Sequence, residues 1–260
     1  MNKKPNVCIL RSDGTNCDFE LFYAFEKYGG KPEFVHVNQL RSREKKLDDF
    51  QILAFPGGFS YGDDVASGKI LAVEMTSYFS DDLKKFVDRK NTLTIGICNG
   101  FQTLIRTGLL PFGNIGKMDA TLTNNDSGHF ECRWVNVKGE KSRCVFLDNE
   151  NIEQSISVSV NHGEGKFYAS NETILAIEQS GLVVFRYIDN SGKPTQHYPE
   201  NPNDSTNAIA GICDPSGRIF GLMPHPEKNI DKTQHPNWRR EVQKDWGFLF
   251  KNMIAFARKA

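Results

Sequence analysis

The sequence predicts one α/β domain with a mainly parallel central sheet flanked by helices and a smaller antiparallel elaboration. Three observations carry this expectation. Over about the first hundred residues, short apolar runs and amphipathic stretches alternate at β-α-β spacing, the pattern of a parallel sheet wound with helices on both faces. Beyond Gly108 the texture shifts to shorter strand-like runs joined by polar turns. A chain of 260 residues can bury a full core, and neither an internal repeat nor a linker divides it, so one domain over 1–260 is expected.

Val7–Leu10 is the first expected strand. Gly14-Thr15-Asn16 then turns the chain into a helix from about Asp18 to Tyr28, which stops at Gly29-Gly30. Phe34–Val37 and Ile52–Phe55 are the next strands, the latter ending in Pro56-Gly57-Gly58-Phe59, a loop able to expose its N–H groups. A helical region from about Ile70 to Asp88 leads to a fourth strand, Leu93–Ile97. Further on, Phe130–Val137, Val145–Leu147, Ile156–Val160 and Leu182–Ile188 are expected strands, and 189–207 a long loop rich in Asn, Pro, Ser and Gly. Ala208–Cys213 and Ile219–Met223 flank Asp214-Pro215-Ser216-Gly217 as a hairpin, and an amphipathic helix closes the chain from about Asp245 to Arg258.

The bulk properties narrow the function classes. Thirty-two Lys plus Arg balance thirty-two Asp plus Glu, so no basic field exists to draw in nucleic acid. The basic stretch 41–46 is followed at once by acidic residues and fits a solvated loop or helix face. Met1-Asn2-Lys3-Lys4-Pro5-Asn6 leads into an apolar stretch too short for a secretory core or a membrane span, which makes a soluble cytoplasmic protein the expectation. Six cysteines, at 8, 17, 98, 132, 144 and 213, form no C-x-x-C pair. His129 and Cys132 have metal-ligand spacing but lack a second pair, so no metal site is expected. Five of the cysteines fit small core or surface positions. Cys98 is the exception.

Gly96-Ile97-Cys98-Asn99-Gly100 follows a strand and opens an amphipathic helix. A nucleophile between glycines at such a turn follows the logic of the G-x-S-x-G elbow, with sulfur in place of oxygen. The turn aims the first N–H groups of the helix at whatever the sulfur attacks, which favours a thiolate and an oxyanion alike. The base is sought in Met223-Pro224-His225-Pro226-Glu227, after the strand that ends near Met223. Pro226 keeps His225 out of a helix, and an extended segment would put His225 and Glu227 on one face, with Glu227 orienting the imidazole. The N–H groups of Asn99 and Gly58 are the expected oxyanion donors, and no phosphate loop follows Gly57-Gly58.

The order Cys98, His225, Glu227, with Pro-Gly-Gly-Phe upstream, resembles the class I (triad) glutamine amidotransferases, and Gln102 matches that family's C-x-G-x-Q pattern. Gly14-Thr15-Asn16-Cys17-Asp18, Gly58-Phe59-Ser60-Tyr61-Gly62-Asp63, His162-Gly163-Glu164-Gly165 and Asn201-Pro202-Asn203 extend the resemblance over nearly the whole chain, as does Ile209-Ala210-Gly211-Ile212. Together they resemble the glutaminase subunits of phosphoribosylformylglycinamidine synthase. The resemblance implies a flavodoxin-like fold and a γ-glutamyl thioester on Cys98, with Gly57 and Gln102 holding L-glutamine. It implies no cofactor in this chain. ATP and magnesium are expected on a large synthetase subunit, accompanied by a small accessory subunit. Ser12 and Asp13, Asn161 and Asp204 depart from the family pattern and are expected to affect only surface loops away from the triad. Two other readings share the fold: a free-standing thiol amidase and a non-catalytic regulatory subunit.

Overall fold

The computed structural model describes residues 4–148, 150–240 and 244–259; the opening Met1-Asn2-Lys3 lies outside them. The first half of the chain runs β1 (Asn6–Arg11), α1 (Asp18–Lys27), β2 (Lys31–His36), α2 (Val37–Arg41), β3 (Ile52–Phe55), α3 (Lys69–Ser77), α4 (Ser80–Asp88), β4 (Leu93–Ile97) and α5 (Asn99–Thr107). The second half adds β5 (Ala120–Thr123), β6 (Glu131–Gly139), β7 (Ser155–His162), β8 (Lys166–Ala169), α6 (Asn171–Gln179), β9 (Val183–Tyr187), β10 (Ile209–Cys213), β11 (Ile219–Leu222) and α7 (Gly247–Lys259).

The main sheet has nine strands in the order β2-β1-β3-β4-β11-β10-β9-β6-β7. Strands β2, β1, β3, β4 and β11 pair in parallel; the remaining pairings are antiparallel. The antiparallel elaboration therefore continues the same sheet, and only β5 and β8 form a small sheet apart. Strands β3, β4 and β11 are buried along their whole length. Between β1 and β3 the winding changes direction, which separates the loops after those strands and opens a crevice at the carboxyl edge.

At Gly100, helix α5 meets β3 without an intervening side chain. A Cβ on Gly100 would lie 2.0 Å from the Phe55 carbonyl oxygen, so only glycine permits this approach. The expected hairpin at Asp214 is present, its carboxylate accepting from the N–H groups of Ser216, Arg218 and Ile219 at 2.8 to 3.0 Å.

Several expected elements need correction. The helix expected over 70–88 is two helices: Phe79 turns into the core, and Ser80-Asp81-Asp82 restarts the helix with acidic residues suited to its N-terminal end. The second strand begins earlier than expected and stops at His36. There the His36 ring accepts from Asn38 N–H and the Gln39 side chain accepts from His36 N–H, capping α2. Val145–Leu147 is a turn rather than a strand, fixed by Val145 N–H on Gly217 O at 3.0 Å with Phe146 fully buried. Strands β5 and β8 and helices α2 and α6 were not expected.

Candidate active site

Strands β4 and β11 lie side by side in parallel with Ile97 opposite Leu222, and Cys98 N–H donates to Leu222 O at 2.8 Å. Residues leaving these two strands therefore emerge at the same edge of the sheet. Cys98 leaves β4 with φ 52° and ψ −106°, a backbone that costs a non-glycine residue roughly 1–3 kcal/mol. The bond to Leu222 on one side and Gln102 N–H donating to Cys98 O at 3.0 Å on the other hold it there. His225 follows β11, and its N–H donates to Ser159 O on β7 at 2.9 Å.

His225 Nδ1 lies 2.7 Å from Glu227 Oε1, with both side chains 1% exposed. The pairing is the expected one, but the geometry that makes it differs. Residues 226–228 form a 3₁₀ turn with Pro226 at its first position, so the turn, rather than an extended segment, brings Glu227 back to the ring. The carboxylate assigns the proton to Nδ1. Nε2 is then a bare acceptor, and among the described residues it has no hydrogen-bond partner.

Gly57 is where the groups converge. A Cβ there would lie 2.7 Å from His225 Cε1 and 3.4 Å from both Cys98 Cβ and Cys17 Sγ. Cys98 and His225 thus approach each other across a position that has no room for a methyl group. Cys17 N–H bonded to Gly57 O at 3.2 Å and Phe59 N–H bonded to Gly14 O at 3.0 Å pin the chain on both sides of Gly58, and neither uses the Gly58 N–H. Gly58, Asn161, His225 and Lys228 line a cavity of about 210 Å³ together with Asn16, Cys17, Phe59 and Phe130.

Burial pushes the Cys98 thiol up from its ordinary range, assisted by Cys17 and Glu227, while the Asn99 N–H and Lys228 pull the other way. Burial wins over the helix end, so the resting sulfur is a thiol, and it donates to Asn161 O at 3.5 Å. A thiolate here has to be made by handing its proton to a nearby base. The Cys17 thiol is likewise pushed up to about 12, first by burial and then by Glu227.

Gln102 is 3% exposed. Its Nε2 donates to Glu164 O at 2.6 Å and its Oε1 accepts from Asn99 Nδ2 at 3.0 Å, so its amide is committed to the wall of the site. Asn99 Nδ2 also donates to Asp63 at 2.8 Å, and Asn99 Oδ1 accepts from Ser60 N–H at 3.2 Å. Asp63 accepts from the Ser67 hydroxyl at 2.8 Å, and Ser67 N–H donates to Glu164 at 3.3 Å. This network joins α5, the loop after β3 and the His162–Gly165 loop. It backs a second cavity of about 460 Å³ lined by Asp63, Ser67, Asn125 and Glu164, which shares Phe59 and Phe130 with the smaller one. Burial raises the Asp63 carboxyl, with hydrogen bonds from Ser67 and Asn99 opposing.

Two expectations about the surroundings of the triad fail. Asn161 does touch it, since its carbonyl receives the Cys98 thiol. Cys17 is part of the site wall rather than an ordinary core or surface cysteine. The other departures stand apart: Ser12 N–H donates to Thr15 Oγ1, Asp13 O accepts from Tyr61 N–H, and Asp204 pairs with Lys166 at 3.0 Å. Cys17, His225 and Glu227 place a sulfur, a nitrogen and an oxygen within 4.8 Å of one another. A soft divalent cation could use such donors, but Glu227 is engaged with His225, and Lys228 brings positive charge beside Cys17. His129 and Cys132 belong to no metal-ligating group among the described residues. Lys228 and Cys17 could have been suspected from sequence, one as the neighbour of Glu227 and the other as the end of the β1 loop at the switch of winding. The role of Asn161 carried no signal, because it acts through its backbone.

Residues 4–257 match the model of the CobB/CobQ-like glutamine amidotransferase domain. A phosphoribosylformylglycinamidine synthase subunit PurQ from Dehalococcoides mccartyi is 44% identical over 98% of this chain and 99% of its own length. One from Methanococcus maripaludis is 41% identical over 96% and 92%. The solved structure of PurLQS from Thermotoga maritima contains a chain that superposes with a TM-score of 0.74 at 29% identity, covering 98% of this chain and 99% of that one. With its single α/β fold and Cys98, His225 and Glu227 gathered at the sheet edge, the chain belongs to the PurQ family, the glutamine amidotransferase subunits of phosphoribosylformylglycinamidine synthase.

Proposed function

We propose that Cys98 attacks the side-chain carboxamide of L-glutamine as His225 Nε2 takes the thiol proton. A sulfur–carbon bond forms, and the carbonyl becomes an oxyanion facing the N–H groups of Gly58 and Asn99. Collapse breaks the carbon–nitrogen bond, and the imidazolium returns its proton to the departing ammonia. His225 then activates water against the γ-glutamyl thioester, releasing glutamate and the thiol. Glu227 holds the imidazole in the reactive tautomer and balances its charge. Gly57 keeps the space in which substrate, sulfur and imidazole meet, and Gln102 acts on bound glutamine by fixing the Glu164 loop.

The ammonia is handed to a large synthetase subunit that works with a small accessory subunit. ATP and magnesium act there in converting formylglycinamide ribonucleotide to the amidine. The observation that carries this reading is the buried 2.7 Å contact between His225 Nδ1 and Glu227 Oε1, which leaves Nε2 bare beside the elbow that presents Cys98. Ammonia release from glutamine, measured with and without the synthetase subunits, tests it. C98S is expected to lose about 10³-fold or more of the activity, because serine is a far weaker nucleophile and the triad acts as a unit. Undiminished release by C98S would overturn the mechanism. Turnover of unrelated amides at the same rate without the partners would instead favour a free-standing amidase.

A further inference from the structure

Lys228 follows Glu227 in sequence and lines a cavity with Cys17, His225 and Asn161, whose carbonyl receives the Cys98 thiol. Among the described residues lining that cavity it is the only permanent cation. The groups facing it are the Cys17 thiol, the Glu227 carboxylate and, from α1, Glu20. Around Cys98 the titratable neighbours are Cys17, Glu227, Lys228 and Tyr187, with His225 reaching in across Gly57. When Cys98 yields its proton in this largely dry setting, the Glu227 carboxylate opposes the new charge, the Cys17 thiol stays neutral, and Lys228 favours it beside the imidazolium that His225 becomes. We infer that Lys228 is a positioning residue of the reaction, an ammonium held at the cavity wall to stabilise Cys98 as a thiolate.

A surface lysine touching the site by accident would shed part of its charge on burial. Here burial does pull the ammonium down, but Cys17 and Glu227 outweigh it and carry Lys228 above its ordinary range. The charge therefore persists through the neutral pH range. The inference rests on the triad reading but concerns only the readiness of the sulfur, which can be measured without glutamine.

The experiment is alkylation of the full-length protein by iodoacetamide from pH 6 to pH 10, with peptide-level mass spectrometry following Cys98 alone. The thiolate forms the sulfur–carbon bond and iodide leaves. In K228M, Cys98 is expected to react about five- to ten-fold more slowly near pH 8, with its profile displaced upward by up to about one pH unit. K228R, which keeps the charge, should stay within about two-fold of the wild type. Free glutathione added to the same sample serves as the internal control and should not change. Superposed Cys98 profiles for K228M and the wild type would overturn the inference, as would an equal loss in K228R. K228Q, polar but uncharged, should follow K228M and provides the measurement if K228M does not fold. A glutaminase reading that failed through an active C98S variant would leave this alkylation result standing by itself.

Discussion

Gly57 sets the separation between Cys98 and His225. Its missing side chain leaves the space between the imidazole of His225 and Cys98 open, and a methyl group would sit 2.7 Å from His225 Cε1 and 3.4 Å from Cys98 Cβ. G57A must therefore push the ring away from the sulfur or tilt it off Glu227. Displacements near 1 Å at a reacting centre cost about a hundred-fold in rate. G57A is expected to lose about that much kcat/KM for glutamine while its melting temperature moves by only a few degrees, since the ring lies at the edge of the core. Steady-state kinetics alongside thermal melting checks this, and full activity would mean that the imidazole is held less tightly than its contacts indicate. Cys98 follows the same logic. Its left-handed backbone is tolerable because the bonds to Leu222 O and Gln102 N–H hold it from both sides.

The element that presents Cys98 is the unit of β4 and α5, and its closeness to β3 decides where the sulfur stands. Gly100 is the contact point: a Cβ would overlap the Phe55 carbonyl oxygen at 2.0 Å, and backbone on both sides leaves little freedom to yield. G100A is expected to cost about 3 kcal/mol, the upper part of the range for overpacking, and to lower the denaturant midpoint accordingly. Unlike G57A, it should lose stability and activity together, so equilibrium unfolding separates the two glycines. This strand-turn-helix unit was legible in the sequence because a buried apolar run, a glycine-flanked cysteine and a helical pattern occur within fifteen residues. Elements of the second half were less so. Strands β5 and β8 are four residues each and pair only with one another, and α2 owes its start to a cap at His36 that hydrophobic periodicity does not reveal. The expected strand at 145–147 is apolar because Phe146 fills the core from a turn; apolarity signals burial before it signals backbone pairing. For the site, the grouping of Cys98, His225 and Glu227 could be expected from residue type and position, whereas Asn161 O and the Asp63–Asn99–Gln102–Glu164 network depend on contacts across the fold.

At the scale of the molecule, one buried histidine links three loops behind the site. His162 closes β7, is 2% exposed, and lies between Asn125 Oδ1 at 3.0 Å from Nδ1 and Asn203 Nδ2 at 3.4 Å from Nε2. Asn125 also receives Gly165 N–H at 3.0 Å and donates to His162 O at 2.8 Å, while Asn203 Oδ1 receives Ser205 N–H at 3.1 Å. Only one protonation state satisfies both flanking amides: Nδ1 carries the hydrogen and Nε2 accepts. A second proton would set Nε2–H against the Asn203 amino group. Burial, followed by the proximity of His225, accordingly pulls the ring down from 6.5 to about 3. The sign follows directly. Above pH 6.5 both folded and unfolded chains hold a neutral ring and stability is unaffected. Between about 6.5 and about 3 the unfolded chain takes up a proton that the folded chain refuses, so stability falls as pH falls. The slope from this one group approaches about 1.4 kcal/mol per pH unit once the pH is well below 6.5. H162Q, which keeps a donor and an acceptor but cannot titrate, should be less stable than the wild type at pH 7.5, with the gap narrowing steadily toward pH 4.5. Urea unfolding of both proteins across that range measures the gap. A constant difference would show that His162 titrates normally and that the three loops can accommodate its charge.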